Sequence, residues 1–257
     1  MESIPLIAIR YHAKYGHFRK PYSNVSSLTY PFPPRPAIAG LMGAVMGIKK
    51  DDVPEMFDEN NMKAGVEIEN RIKTVTHVTN FRQYSSGDIS YSVKPQTKAK
   101  LSKPLKNVPK SNKATQIPME LLRNPSYILY INLTNEKKME ELKTRIAHKR
   151  FVYTPCMGLS EFLAELELLP DWRTANLMDP GENEISTVIT KDDCSLLFNK
   201  IRSEKNYNIQ ELSVPHLGNK DRRFTYKKYI FNLMSSPLPV NMNGKMYQIN
   251  DKNITFL

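Results

Sequence analysis

Basic and aromatic side chains alternate between residues 13 and 22, where the sequence reads Ala-Lys-Tyr-Gly-His-Phe-Arg-Lys-Pro-Tyr. Aromatic rings can stack on unpaired nucleobases while cationic neighbours pair with phosphates, so this mixture favours a loop that binds single-stranded RNA. The alternative is an ordinary surface loop with a few buried rings. The side chains of this segment that we expect to contact RNA are Lys14, Tyr15, His17, Phe18 and Arg19.

The same residue types could also cleave RNA. Histidine, tyrosine and lysine can act as acid, base and charge stabiliser when the RNA 2′-hydroxyl is the nucleophile, and such a reaction needs no metal. Candidate groups are His12, His17, Tyr15 and Tyr30. These types are abundant in any basic RNA-binding protein, so binding without catalysis is the simpler interpretation. The sequence has no Walker loop, dinucleotide fingerprint, Gly-x-Ser-x-Gly, His-Glu-x-x-His or Cys-x-x-Cys motif, so we expect neither a cofactor nor a metal.

A lysine cluster follows further along the chain. Between Ser92 and Lys113 there are seven lysines and no acidic residue, whereas residues 51–69 and 180–193 are rich in acids. The surrounding stretch, residues 82–117, is either an extended hairpin arm or a partly disordered insertion, because it is too long for an ordinary connection. Segregated charge of this kind favours an RNA-contacting arm, and a solvated loop is the alternative.

The overall charge also favours a polyanionic partner. The 257 residues include 37 Lys and Arg against 26 Asp and Glu, which gives a net charge of +11 and a pI near 9.5. An apolar fraction of 40% and a mean hydropathy of -0.49 indicate a soluble globular protein without a membrane span. Glu2 and Pro5 lie where a secretory signal would begin, and the two cysteines, Cys156 and Cys194, are far apart, so the cytoplasm is the expected setting.

A proline-rich turn leads into a helix of small residues in the stretch from residue 28 to residue 48. Proline is tolerated in the first turn of a helix, so we expect the helix to begin at Arg35 or Pro36. Its three glycines each cost about 1 kcal/mol relative to alanine, which indicates that something approaches the helix backbone closely. Either tight packing within the fold or a ligand could do so, and Gly40 and Gly43 are the candidate positions.

The predicted elements follow the order strand, helix, strand, strand, helix, strand. This is the order of the ferredoxin-like or RNA-recognition-type fold, whose sheet commonly binds single-stranded RNA. Thr134 or Asn135 is the expected cap of the second helix. The six elements are expected at Ile4–His12, Arg35–Ile48, Val66–Phe81, Tyr127–Leu133, Lys137–His148 and Phe151–Pro155.

Beyond Pro170 the sequence changes to short β-favouring runs, with Asn243-Gly244 as a predicted two-residue hairpin turn. We therefore expect an α+β protein in two parts. Residues 1–168 are predicted to form a ferredoxin-like RNA-binding domain with an insertion at about residues 80–117. Residues 169–257 are predicted to form a smaller, β-rich C-terminal lobe.

Three stretches together resemble the CRISPR-associated protein 5 family, which caps the 5′ end of the guide RNA in type I Cascade surveillance complexes. The first ends in His-Phe-Arg-Lys at residues 17–20, and the third reads Tyr-Thr-Pro-Cys-Met-Gly-Leu-Ser-Glu from residue 153. The second and most specific lies within Leu28–Gly47 and contains Thr-Tyr-Pro-Phe-Pro-Pro-Arg followed by Gly-Leu-Met-Gly-Ala-Val-Met-Gly. The resemblance covers Ile4–Leu166 in order and spacing, and the second stretch is most similar to the type I-B branch.

The resemblance implies a ferredoxin-like body of the RAMP type with an inserted β-hairpin thumb, here the lysine-rich arm. It implies a non-catalytic subunit of a ribonucleoprotein complex for antiviral defence that binds the 5′ handle of the crRNA. The implied protein partners are the CRISPR backbone subunit and the Cascade large subunit, with target DNA near the protospacer-adjacent motif as a further contact and no membrane. In type I-C the equivalent protein also cuts the precursor RNA, so a metal-independent endoribonuclease that processes pre-crRNA is the alternative.

The residue pattern and the resemblance lead to one hypothesis for the RNA contacts. Arg35 and the backbone N–H groups at the helix start would hold handle phosphates, and Tyr30 would stack on or flank the bases. Gly40 and Gly43 would let RNA or a neighbouring subunit approach the helix. The basic side chains expected to follow the RNA backbone into the first guide nucleotides are Arg82, Lys94, Lys98 and Lys100.

Overall fold

The computed structural model describes residues 3–21, 26–82, 114–169, 174–201, 207–218 and 223–257 of the chain. Within these ranges the α-helices are α1 (Arg35–Met46), α2 (Val53–Met56) and α3 (Glu136–Ala147). The strands are β1 (Ser3–Pro5), β2 (Ile7–Ala13), β3 (Tyr15–Gly16), β4 (Met62–Ile68), β5 (Thr74–Arg82), β6 (Ala114–Arg123), β7 (Ser126–Leu133), β8 (Ala164–Leu169), β9 (Thr174–Met178), β10 (Gly181–Ile185), β11 (Ile189–Thr190), β12 (Cys194–Leu196), β13 (Ile209–Gly218), β14 (Phe224–Asn232), β15 (Leu238–Met242), β16 (Met246–Ile249) and β17 (Lys252–Ile254). In this described part of the chain, every helix is too short or too polar to cross a membrane.

A four-stranded antiparallel sheet in the order β4-β7-β2-β8 forms the centre of the protein. Helix α1 follows β2, and helix α3 follows β7, so the chain order is β2-α1-β4-β7-α3-β8. This order of strands and helices is that of the ferredoxin-like fold. The predicted fold class is confirmed.

The prediction of a strand at Phe151–Pro155 is wrong, because this segment forms hydrogen bonds with the last turn of α1 and not with a neighbouring strand. The N–H groups of Val152 and Tyr153 donate to the carbonyl oxygens of Val45 and Ala44, at N···O distances of 3.3 and 3.0 Å. Carbonyl groups in the last turn of a helix have no partner inside the helix, so they can accept these donors. The fourth strand of the fold is β8, which pairs with β2.

Helix α1 packs on the body of the protein and leaves part of its surface bare. It begins at Arg35, as predicted, and it ends before Gly47, whose φ of +75° is a conformation that glycine adopts without strain. Gly43 is a packing position, because a Cβ atom there would lie 2.7 Å from Cγ2 of Val53. A Cβ atom at Gly40 would meet no atom within 4 Å. Tight packing therefore accounts for Gly43, whereas Gly40 faces open space.

Helix α3 follows the prediction closely. The Asn135 side chain caps its first turn by accepting a hydrogen bond from the N–H of Lys138, at 3.1 Å. Its buried face consists of Met139, Leu142 and Ile146, which are spaced three and four residues apart.

The face of the central sheet opposite the helices is largely covered. On this face Leu6, Ala8, Ile128 and Tyr130 form a buried cluster with apolar residues of β9, β16 and β17. The covered part of this sheet face, which in ferredoxin-like folds commonly binds single-stranded RNA, therefore offers no open surface here.

A second sheet, which we call the thumb sheet, consists of β5, β6 and β3, in which β6 pairs with both others. The single strand predicted at Val66–Phe81 is thus two strands, because β4 lies in the central sheet and β5 in the thumb sheet. The hairpin starts at Thr74 rather than near residue 80, and its second strand ends at Arg123. Residues 83–113, which hold the lysine cluster, lie outside the described residues.

The C-terminal strands form two further sheets, ordered β1-β9-β16-β17-β10-β15-β12 and β11-β14-β13. The predicted hairpin at Asn243-Gly244 is wrong, because β15 pairs with β10 and β12 while β16 pairs with β9 and β17. The N–H groups of Asn243 and Gly244 donate to the carbonyl oxygen of Asp193 instead. Residues of β13 and β14 share the main apolar core with α1, and the boundary after residue 168 stays a prediction.

Candidate nucleic-acid interface

A groove of roughly 790 Å³, which we call the thumb groove, lies between the thumb sheet and the loop of residues 157–163 that precedes β8. Three of the residues predicted to bind RNA line it: Tyr15, His17 and Arg19. They share the groove with Thr76 and His77 of β5 and with Phe162 of the loop.

The loop of residues 157–163 is held very close to β3. The N–H of His17 donates to the carbonyl oxygen of Met157 at 3.0 Å, and the N–H of Met157 donates to the carbonyl oxygen of Phe162 at 2.7 Å. Gly158 has a φ of +87°, and a Cβ atom at this position would lie 1.9 Å from the carbonyl oxygen of His17. Glycine is therefore required here, both for the backbone conformation and for the close approach.

His17 joins three segments from inside the groove wall. Its Nδ1 lies 2.8 Å from the carbonyl oxygen of Glu120, and its Nε2 lies 3.0 Å from Oγ of Ser27. The carbonyl can only accept, so Nδ1 carries the hydrogen and Nε2 accepts from the Ser27 hydroxyl in the neutral ring. Burial lowers the pKa of His17, which is 1% exposed. Because both ring nitrogens are used within the protein, His17 is placed to hold β6 and Ser27 together.

The buried neutral state of His17 predicts that acid destabilises the fold. Its pKa is lower in the folded state, so below about pH 6.5 the unfolded chain takes up a proton that the folded chain excludes. Chemical denaturation should show a smaller free energy of unfolding at about pH 5.5 than at about pH 7.5. In His17→Gln this pH-dependent part should shrink, whereas exposed His148→Gln should keep it. Equal pH dependence in wild type and His17→Gln would contradict the assignment.

Phe18 and Tyr30 differ from the expectation, because both rings belong to the main apolar core and are 4% and 1% exposed. The N–H of Tyr30 donates to the carbonyl oxygen of Phe18 at 2.7 Å, and Thr29 Oγ1 accepts from the N–H of Phe18 at 2.8 Å. This pairing turns the two rings into the protein interior. They support the groove wall and have no surface on which a base could stack.

Tyr15 and Arg19 are the predicted residues that keep accessible side chains in the groove. Tyr15 is half-buried, and its ring centroid lies 6.4 Å from that of Phe162 at an interplanar angle of 54°. The Arg19 side chain is exposed. An aromatic pair beside an exposed guanidinium is the combination that stacking on a base and pairing with a phosphate require.

Arg35 lies elsewhere. It is 3% exposed, and its Nη2 donates to the carbonyl oxygens of Asp58 and Met62, both at 2.7 Å, so it ties the start of α1 to the turn before β4. Together with Gly40 and Gly43 it borders a separate cavity along α1. The residues predicted from sequence as one RNA site are thus divided between two places.

The remaining predicted residues are distributed as follows. Lys14 is exposed beside Arg10 and His12, in a depression at the end of β2. Arg82 is the last residue of β5, beside the hairpin partner Ala114. The predictions for Lys94, Lys98 and Lys100 fall outside the described residues.

One cluster among the described residues could hold a metal ion. Ligand atoms of His12, Glu165 and Glu167 lie within 4.8 Å of one another. Arg10 Nη1 already pairs with Glu167 at 3.2 Å, so a cation would have to compete with this guanidinium.

Sequence reasoning missed the parts of the groove that come from the thumb sheet. Thr76 and His77 stand in an alternating run of polar and apolar residues that predicted only a strand. The loop was detectable, because the third family-like motif contains Pro155 and Gly158, residue types that favour a turn. Its close contact with β3 depends on the tertiary structure.

The comparisons with known proteins agree with this architecture. The family model described as "CRISPR-associated protein (Cas_Cas5)" matches residues 6–214. A comparison with curated proteins gave no significant match. The crystal structure of a CRISPR protein from Archaeoglobus fulgidus is 11% identical, with a TM-score of 0.54 over 97% of this chain and 98% of that chain. A chain of a CRISPR RNA-guided surveillance complex is 10% identical, with a TM-score of 0.47 over 91% of each chain.

Proposed function

Since the chain belongs to the Cas5 family of CRISPR-associated proteins, we propose that it is a non-catalytic subunit of a type I Cascade complex that binds the 5′ handle of the crRNA. The family match covers most of the chain, from the start of β2 into β13. The ferredoxin-like order of the central sheet and the long hairpin of β5 and β6 agree with the body and thumb that the resemblance implies.

The observation that carries this proposal is the thumb groove. It places an exposed arginine, an accessible aromatic pair and the base of the thumb hairpin around one channel. Single-stranded RNA is bound by this combination through stacking and phosphate pairing, with little dependence on sequence. The net charge of +11 adds the long-range attraction that a polyanion needs.

The engagement of His17 supports binding without catalysis. A general acid or base must reach the RNA with a free ring nitrogen, and both nitrogens of His17 are bound within the protein. Of the other candidates, Tyr30 is buried in the core, whereas His12 and Tyr15 are half-buried and lie on different walls of the protein surface. The proposed function therefore leaves processing of the precursor RNA to another enzyme.

We place the subunit in the cytoplasm beside the CRISPR backbone subunit and the large subunit, with target DNA near the protospacer-adjacent motif as a further contact. The sequence Thr-Tyr-Pro-Phe-Pro-Pro-Arg at residues 29–35 favours the type I-B branch. The partners and the branch rest on the resemblance of the sequence to the family, and the cytoplasmic setting rests on the two separated cysteines and the residues at the N-terminus.

Charge reversal at Arg19 tests the role of the groove. Arg19→Glu should weaken binding of a labelled handle RNA about tenfold or more and should reduce the salt dependence of binding, because a phosphate contact is replaced by repulsion. Fluorescence anisotropy at several salt concentrations measures both effects.

The matched control is Lys137→Glu, an exposed position on α3 that changes the net charge by the same amount. Equal weakening in both variants would mean that only the overall charge attracts RNA. In the same assay with EDTA the repeat RNA should stay intact. Specific cleavage of that RNA would contradict the non-catalytic assignment.

A further inference from the structure

An imidazole and two carboxylates lie together where β2 and β8 run side by side at the edge of the central sheet. His12 is directly opposite Glu165 in this antiparallel pair, and Glu167 lies two residues further along β8. Side chains two residues apart on a strand point to the same face, and directly opposite side chains are neighbours. The three side chains therefore project from two adjacent strands on one face of the sheet. We call them the β2–β8 cluster.

The spacing within the β2–β8 cluster suits a shared metal ion. One donor atom of each side chain lies within 4.8 Å of the other two, and Nε2 of His12 lies 3.6 Å from Oε1 of Glu167. This distance is too long for a hydrogen bond. It is close to the separation of about 3.4 Å between two ligand atoms that each lie about 2.1 Å from one tetrahedral zinc ion.

The donor atoms of the cluster are largely uncommitted. The side chains of His12 and Glu165 make no hydrogen bond to any residue that the structure describes. Glu167 is paired with Arg10, but through Oε2, which lies 3.2 Å from Nη1 of the guanidinium. Its other oxygen, Oε1, is the one that faces His12.

The competition from Arg10 is limited, because this guanidinium is held mainly by Glu69. Nε of Arg10 lies 2.8 and 3.0 Å from the two carboxylate oxygens of Glu69, and Nη2 lies 2.8 Å from Oε1. Arg10 can therefore stay in place when Oε1 of Glu167 binds a cation. Its bond to Oε2 would then orient the carboxylate, as outer partners of metal ligands commonly do.

The local charge favours a divalent cation. Three carboxylates, those of Glu69, Glu165 and Glu167, lie near two cationic side chains, those of Arg10 and Lys14. Beside the cluster is an open depression of roughly 470 Å³, which gives access to solvent. A water molecule from this side can complete the coordination of an ion that has three protein ligands.

We propose that the β2–β8 cluster binds one divalent transition-metal ion, and that Zn²⁺ is the ion its ligands suit. Imidazole and carboxylate groups are both ligands of zinc, whereas Mg²⁺ prefers oxygen ligands and keeps most of its water. Short zinc motifs need ligands that are close together in the chain, so they do not detect a cluster built from β2 and β8. The ion would fasten β2 to the start of β8, directly after the loop of residues 157–163. It would thereby steady one wall of the thumb groove.

Calorimetric titration of the metal-free full chain with ZnCl₂ tests the proposal. The wild type should bind one equivalent, and Zn²⁺ in large excess over its dissociation constant should raise the melting temperature by several degrees. His12→Gln and Glu165→Gln should each weaken binding at least tenfold and remove most of this increase. Neither side chain is buried, so the metal-free variants should melt like wild type.

The matched controls are His148→Gln and Glu136→Gln, which make the same changes at exposed positions outside the cluster. Both should bind Zn²⁺ like wild type. Absence of Zn²⁺ binding up to about 1 mM would overturn the proposal, as would a His12→Gln variant with wild-type affinity. Displacement of Zn²⁺ by equimolar Mg²⁺ would overturn the assignment to a transition metal. RNA binding is measured in a separate assay, so this site and the thumb groove can fail independently.

Discussion

Replacing Gly158 by alanine is expected to lower the free energy of unfolding by about 3 to 5 kcal/mol. The φ of +87° costs an L-residue energy, and the larger penalty comes from the Cβ atom, which would lie 1.9 Å from the backbone carbonyl oxygen of His17. A backbone atom cannot rotate away as a flexible side chain can. For a chain of this length, the loss corresponds to a decrease in melting temperature of roughly 10 °C, measurable by calorimetry.

The same change should damage the thumb groove, because the loop that carries Phe162 would move away from β3. Gly40→Ala is the matched control, since its Cβ atom has open space and its helical backbone favours alanine by about 1 kcal/mol. If Gly158→Ala melts within about 2 °C of wild type, the close approach is not what fixes this loop.

Arg35→Met is expected to destabilise the protein by about 2 to 3 kcal/mol. Methionine replaces most of the side-chain stem but removes the donor that two carbonyl oxygens share, those of Asp58 and Met62. The loss falls in a region where water cannot easily replace the donor, because Arg35 is 3% exposed. Urea denaturation measures the change directly.

Arg10→Met provides the comparison, because it removes an arginine with more ionic partners but less burial. Arg10 pairs with Glu69 and Glu167, and its side chain is 37% exposed. Solvent screening limits such pairs, so we expect a loss below about 1 kcal/mol. If Arg10→Met lowers the free energy of unfolding more than Arg35→Met does, the number of ionic partners determines the destabilisation, and the burial of the arginine does not.

Local signals predicted the elements whose ends are fixed by their own residues. Pro36 marks the start of α1, and Asn135 caps α3 through its own side chain. The strand β7 is recognisable because it is apolar on both faces, as a strand inside a covered sheet must be. These three elements are half of the six from which the ferredoxin-like order was predicted.

Elements that depend on distant partners could not be predicted from local patterns. Residues 151–155 are as β-favouring as many strands, but the last carbonyl groups of α1 bind their N–H groups. The alternation Ala-Glu-Leu-Glu-Leu-Leu of β8 fits a short helix or a bent strand, and pairing with the edge of β2 decides for the strand. Asn243-Gly244 has the composition of a hairpin turn but joins two strands with other partners.

The sequence predicted which residue types line the candidate site, but it did not predict which individual side chains face the groove. An aromatic residue in a basic loop can face the core or the RNA, and the sequence of the loop does not differ between the two. Tyr15 remains accessible, whereas Phe18 and Tyr30 are core residues, because the backbone pairing around Thr29 turns their rings inward. Which side a ring takes is decided by the partner segment, 11 to 12 residues away in the sequence.

The position of β2 has a consequence for how the chain folds as it is synthesised. This strand lies inside the central sheet, yet its two neighbours, β7 and β8, begin at residues 126 and 164, and β1 before it pairs with β9. The apolar residues of β2 therefore have no strand partner until β7 has left the ribosome, and β1 has to wait until β9 has followed. Pairing over such sequence distances is slow, because long loops must close first. The nascent N-terminal segment is thus the part of the chain that most needs protection from aggregation before the fold is complete.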